Sequence, residues 1–148
     1  MNRIVCPLLA ITVILSCCSC KTSKKYAQGE KYPLVGTQWN LVALEGVELD
    51  HDFAMRPFVT FDTAGLLRGN LGCNTFFGSY ETNKKHKMTV NYEGSTKRLC
   101  QQMGVEKRFT AAWRMDINRY ELKGEELILY SGEDEIMRFK GTDLSQKE

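Results

Sequence analysis

From residue 37 to residue 139, short apolar runs recur at close intervals, each bounded by glycine or by Asp, Asn and Ser. Runs this short and this regularly punctuated read as strands joined by tight turns, which restricts the chain to a mainly antiparallel β fold. Residues 37–44 place Trp39, Leu41 and Ala43 on one face and end at Glu45-Gly46, a turn signal. Residues 58–61 pass through Asp62-Thr63-Ala64-Gly65 into a returning strand at 66–71. Residues 76–81 and 87–92 flank the polar loop 82–86, and 120–122, 126–130 and 135–139 read as a closing meander turned at Gly124 and Ser131-Gly132. One segment breaks the rhythm. Val105, Phe109, Ala112, Trp113 and Ile117 follow a 3.6-residue period, which predicts a helix over about 105–118 despite Gly104 at its start. Its apolar stripe must cover one end or an open side of the sheet. The fold class is therefore mainly β with one helix (α+β): a curved antiparallel sheet or partly open β-barrel with one packed α-helix.

Composition agrees. The chain has 148 residues, 43% hydrophobic and 10% aromatic, in the range of a folded single domain. Twenty Lys and Arg against 18 Asp and Glu leave a net charge of +2, so no nucleic-acid footprint is written in the charge. A domain over residues 34–144, with a tail at 145–148, is large enough to bury roughly two-thirds of its unfolded surface without a metal or a disulfide mesh. We expect a monomer.

The six cysteines divide unevenly: Cys6, Cys17, Cys18 and Cys20 lie in the first twenty residues, Cys73 and Cys100 in the rest. Met1-Asn2-Arg3 is a short basic start, and the apolar run 4–15 has the length of a signal-peptide core, too short to span a bilayer. It ends Ile14-Leu15-Ser16-Cys17, which resembles the bacterial lipobox, with an aliphatic residue at −3 and a small one at −1. The resemblance implies a signal peptide over 1–16 and lipidation of Cys17, with Cys20 and then Cys18 as alternatives. An ordinary secreted protein is the competing reading. No acidic residue follows Cys17, so an outer-membrane lipoprotein facing the periplasm is expected, its membrane contact made through the anchor. Residues 17–33 then form the lipidated N-terminus and a polar tether ending at Pro33.

Three separated motifs carry a family resemblance. Gly36-Thr37-Gln38-Trp39-Asn40-Leu41 opens the domain. Gly72-Cys73-Asn74 continues to Gly78 and Tyr80. Thr96 to Cys100 is followed by Glu106. Together they resemble the META domain, the family of the heat-shock protein HslJ, formerly DUF306. Its hallmark positions map onto Trp39, Gly72, Cys73, Asn74, Gly78, Tyr80, Thr96, Cys100 and Glu106. The resemblance implies a sheet curled towards a barrel with one helix, often in an envelope or stress-associated protein, and no accepted catalytic set. Gly104-Val105, where a firmer helix start is usual, departs from the pattern and puts the helix boundary in question.

Read by chemistry, Gly72-Cys73-Asn74 is a corner that re-aims the chain. Cys73 and Cys100, the only cysteines of the domain, either form a disulfide closing a 27-residue separation or stay as two buried thiols. His51 and His86 sit in polar loop contexts, so no Cys-His nucleophile is assembled. Glu48, Asp50, His51 and Asp52 lack the ligand register of a calcium loop, and no other metal site is expected. Thr96-Lys97-Arg98, Lys107-Arg108 and Glu133-Asp134-Glu135 read as solvated faces. Glu106 suits the helix dipole, and pairing with Arg98 or capping of backbone donors are its further options. No motif for catalysis or for a cofactor appears. The expected function is a non-enzymatic envelope lipoprotein that supports stress tolerance by binding another envelope component. The alternative is a small-barrel inhibitor of an exported hydrolase or a carrier of an apolar ligand, with Phe53 or Phe76-Phe77 on an exposed loop as the inhibitor's signature and a large internal pocket as the carrier's.

Overall fold

The computed structural model describes residues 29–50, 52–53, 55–100 and 103–143. The strands are β1 (Thr37–Leu44), β2 (Val47–Glu48), β3 (Phe58–Phe61), β4 (Leu66–Asn70), β5 (Thr75–Thr82) and β6 (Met88–Ser95). The single described helix, α1 (Gly104–Trp113), precedes β7 (Arg119–Lys123), β8 (Glu126–Ser131) and β9 (Asp134–Asp143). All are joined in one antiparallel sheet of order β6-β5-β4-β3-β1-β9-β8-β7, with β2 paired to β1. The expected fold class is what forms: a curved, open sheet with one helix.

Local chemistry explains the turns. Asp62 Oδ1 accepts from the N–H groups of Ala64 and Leu66, both at 2.9 Å, and shapes the β3–β4 hairpin. Asn83 Oδ1 does the same at the β5–β6 tip, accepting from Lys85 N at 2.9 Å and Lys87 N at 3.2 Å. Glu45 and Gly46 both take positive φ (52° and 74°), the twist a two-residue hairpin needs between β1 and β2. Register shifts at Leu41/Ala43, Phe77/Gly78 and Leu129/Tyr130 bend the sheet into a partial barrel.

The outer strands β6 and β7 meet only at one end. Lys87 bridges Arg119, Met88 N donates to Asn118 O and Tyr120 N donates to His86 O. Beyond that point the opening is covered by α1, whose C-cap Arg114 lies over the Tyr92 ring of β6 at 5.3 Å. The helix is held by rings: Phe109 and Trp113 pack with Phe76 and Phe139 at centroid distances of 5.3–6.2 Å. Such pairs contribute about 0.5–1.5 kcal/mol each beyond area burial. Trp39, Leu41 and Ala43 are buried along one face of β1, as alternation predicts.

The helix differs from its predicted span of 105–118. It starts at Gly104 and ends at Trp113. The backbone of Arg114 and Met115 tightens onto Ala111 and Ala112, and Asn118 N is captured by Tyr130 O at 3.0 Å. Pairing with the sheet wins over continued helix, and Ile117 is buried from a loop rather than from a fourth helical turn.

Glycines also limit the packing. Gly69 faces inward on β4, and a Cβ there would meet Phe58 O at 2.0 Å and Phe76 Cε1 at 2.5 Å. Gly69→Ala is expected to cost about 3 kcal/mol, the upper end for overpacking, because backbone must move. A urea midpoint that stays at the parent value with an unchanged slope would refute this close fit.

Candidate functional site

The β4–β5 corner gathers most of the motif residues. Gly72 takes φ 111°, a conformation open to glycine, and Gly72 N donates to Asn70 Oδ1 at 2.7 Å. Leu71 N donates to Asn74 O at 2.7 Å, closing the turn. This turn aims the Asn74 side chain at two distant segments, and Asn74 is only 1% exposed.

Every polar site of that side chain is used. Asn74 Oδ1 accepts from Thr96 Oγ1 at 2.8 Å and from Arg98 N at 2.7 Å. Asn74 Nδ2 donates to Arg98 O at 3.0 Å and to Glu106 Oε1 at 2.7 Å. Two acceptor and two donor positions are thereby filled. The second carboxylate oxygen, Glu106 Oε2, accepts from Asn74 N at 2.9 Å. Glu106 stands in the first turn of α1 and is 7% exposed, so the corner fastens the helix to the sheet. Arg98 forms no ion pair with Glu106 and instead donates from Nη2 to Cys73 O at 2.7 Å. Thr96 completes the join: its Oγ1 accepts from Thr75 N at 3.2 Å, and its N donates to Thr75 O at 3.0 Å.

Cys73 and Cys100 form a disulfide with Cα atoms 6.2 Å apart. Segment 96–100 is therefore fixed by hydrogen bonds at Thr96 and Arg98 and by a covalent bond at Cys100. Leu99 projects from it, 95% exposed. A cleft of about 360 Å³ lies beside the corner, lined by Thr96, Arg98, Leu99, Met103, Glu106 and Lys107 among others.

The other motif residues lie elsewhere. Trp39 is buried in β1 and its Nε1 donates to Leu34 O at 2.9 Å. Gly78 lets β6 approach, since a Cβ there would meet Asn91 O at 2.3 Å. Tyr80 packs edge-on against Phe61 at 4.9 Å, and its hydroxyl donates to Asp62 O at 2.6 Å. Burial, then the charges of Asp62 and Tyr120, hold its phenol above the usual range. Cys17, Cys18, Cys20 and His51 lie outside the described residues.

Two surface expectations change. Phe76 is buried and Phe77 is 51% exposed on strand β5, so neither belongs to a protruding loop. Phe53 is half-buried beneath the Arg56 guanidinium at 5.3 Å. Glu48, Asp50 and Asp52 line a cleft of about 490 Å³ with Arg108, and Glu48 pairs with Arg138 at 3.1 Å. Among the described residues no group of three His, Cys, Asp or Glu is placed to hold a metal. The outward face of β3, β4 and β5 carries Phe58, Leu66 and Phe77 around an open cleft of about 640 Å³.

The fold and corner define a small antiparallel sheet domain whose polar residues lock a helix and a cross-linked segment in place. The model of the META domain family matches residues 32–143, and the chain belongs to that family. The resemblance carried by the three motifs is thus the family itself. Solved structures share the fold at low identity. The crystal structure of a DUF4847 family protein from Bacteroides vulgatus ATCC 8482 aligns with TM-score 0.56 and 15% identity, covering 72% of this chain and 93% of that one. The NMR structure of a protein from Burkholderia xenovorans aligns with TM-score 0.57 and 20% identity, covering 82% and 96%. A search of curated proteins finds no match. Neither the family nor these neighbours indicates catalysis.

Proposed function

We propose that this chain is a lipid-anchored, non-enzymatic domain of a bacterial envelope that binds another envelope component and supports stress tolerance. One observation carries the binding reading. The inner face of the sheet is already filled, yet the outer face still presents Leu66 and Phe77, with the half-buried Phe58 beside them. Exposed apolar groups grouped on a rigid sheet favour contact with a partner. The motif side chains argue against chemistry, because Asn74, Thr96 and Glu106 are spent on one another. The anchor rests on Ile14-Leu15-Ser16-Cys17, and the lack of an acidic residue directly after Cys17 favours outer-membrane placement facing the periplasm.

A second reading, the inhibitor of an exported hydrolase, draws on Leu99, which stands exposed between the clamped Arg98 and the bridged Cys100. The carrier reading has less support, since Trp39, Phe109, Trp113 and Phe139 fill the interior that an apolar ligand would take.

Growth with labelled fatty acid should label the parent chain and leave Cys17→Ala unlabelled. Label retained by Cys17→Ala would sink the Cys17 assignment. Capture from the protein's own envelope should identify a partner that Phe77→Glu loses and Leu99→Glu keeps. The reverse pattern would transfer the function to the inhibitor reading.

A further inference from the structure

Three parts of the molecule converge at one end of the sheet. The antiparallel bridge Lys87–Arg119, with Tyr120 N donating to His86 O at 3.0 Å, sets Lys85 level with Glu121 and Lys84 level with Leu122. The His86 ring stacks on Tyr120, with centroids 5.1 Å apart and 10° between planes. One residue beyond Lys123, Gly124 exchanges backbone hydrogen bonds with Gly29 and Lys31, and bridges Glu30 in the parallel sense. The β5–β6 tip, the β7–β8 turn and the point where the N-terminal segment enters the domain are therefore neighbours.

The tip is basic and built. Lys84, Lys85 and Lys87 are all exposed, and among the described residues none forms an ion pair. Asn83 holds the turn through its side chain, while Asn83 N donates to Lys87 O at 3.2 Å and His86 N to Asn83 O at 3.1 Å. Most nearby acids are occupied. Glu125 pairs with Lys31 and Lys140, Glu121 with Lys123, and Asp62 with its own turn. Glu81 and Glu30 remain as opposing charges at the margin. Upstream, Lys21, Lys24 and Lys25 lie in the 12 residues 17–28. That stretch spans at most about 40 Å when fully extended.

We propose that this end of the sheet is a docking surface for the anionic head groups of a phospholipid bilayer, with Lys84, Lys85 and Lys87 as its contacts. The proposal rests on the lipid-anchor reading for its setting, since an anchor at Cys17 would hold this end within reach of the bilayer. Its contact chemistry is separate from acylation. Each lysine near an anionic surface raises partitioning about fivefold, so three supply roughly 100-fold at low salt. The effect fades as the screening length shrinks with salt. The domain would stand on its hairpin tip, with the Asn74 corner turned away from the membrane.

The test uses the full mature chain from residue 17 carrying Cys17→Ser, Cys18→Ser and Cys20→Ser, so that no acyl chain contributes. It should sediment with vesicles of phosphatidylglycerol and phosphatidylcholine, and stay free with phosphatidylcholine alone. Lys84→Gln, Lys85→Gln and Lys87→Gln together should weaken that binding about 100-fold at low salt with no change in thermal midpoint. The same loss should appear in a background of Lys21→Gln, Lys24→Gln and Lys25→Gln. Binding that ignores the hairpin substitutions, or binding equal on neutral vesicles, overturns the proposal. So does displacement by inorganic phosphate beyond that by chloride at equal ionic strength, which marks a phosphate-ion site instead. Failure of fatty-acid labelling at Cys17 would remove the anchor reading and leave this vesicle result untouched.

Discussion

Asn74→Ala should lower the stability of the domain by about 3–5 kcal/mol, the cost of leaving a buried charged partner without its donor. The substitution removes donors and acceptors from Thr96, Arg98 and Glu106 at once. Glu106 would keep only the Asn74 backbone N–H. Domains of this size have about 5–15 kcal/mol in total, so the loss is a large share. Denaturant unfolding reads it, and a loss within about 1 kcal/mol, the worth of one ordinary hydrogen bond, would sink the role given to this side chain. Asn74→Asp adds a sharper readout. It sets a second carboxylate beside Glu106, where Nδ2 now stands 2.7 Å from Oε1. Two such groups cannot both ionise cheaply, so one folded-state pKa rises above its unfolded value. The variant is then best tolerated at low pH and loses stability as pH rises through the folded pKa. Its deficit should be larger at pH 8 than at pH 5, and a deficit independent of pH would contradict the geometry.

Removing the Cys73–Cys100 bond is the second large effect. For a sequence separation of 27 residues the loop-entropy model gives about 3–3.5 kcal/mol. Cys73→Ala with Cys100→Ala should show this loss in denaturant midpoint, and thiol counting on unreduced, denatured parent should find neither cysteine free. Two free thiols would refute the bond outright. The bond and Asn74 fix the same short segment, so their losses should not add. Combining them should cost less than the sum by about 0.5–3 kcal/mol, the usual coupling between residues sharing a structure.

The parts of the fold legible in sequence are those whose cause is local. Asp62, Gly65, Gly124 and Gly132 announce turns because the required backbone or side-chain bond lies within a few residues. Trp39, Leu41 and Ala43 announce a buried face because alternation follows from the strand itself. The helix end is not legible, since it is decided by Tyr130 catching Asn118. The two-residue β2 and the join of residues 29–31 to Gly124 are set by pairing across space. At the site, Gly72-Cys73-Asn74 reads as a corner from its residue types. Its partners do not, because Thr96, Arg98 and Glu106 lie 22 to 32 residues along the chain. Glu106 in a first helical turn suggests a dipole contact, a pair with Arg98 or a cap on backbone donors; the structure turns it inward to cap the Asn74 N–H and receive the Asn74 side chain, a partner the sequence does not name. Phe76 and Phe77 show the period-two rule at its plainest, one buried and one exposed.

The position of β9 bears on how such a chain can assemble. It is the last strand of the domain, yet it lies between β1 and β8, pairing Thr37 with Asp143. Until β9 is available, β1 lacks a neighbour on that side and β8-β7 can reach the other strands only through the short contact of β7 with β6. Stepwise growth from the first hairpin therefore yields two half-sheets with open edges, and open edges invite pairing with other chains. Closing a connection this long makes folding slow relative to a meander of the same size. The sheet can be completed only once β9 has been made, and a chain kept unfolded until then would lose nothing by waiting.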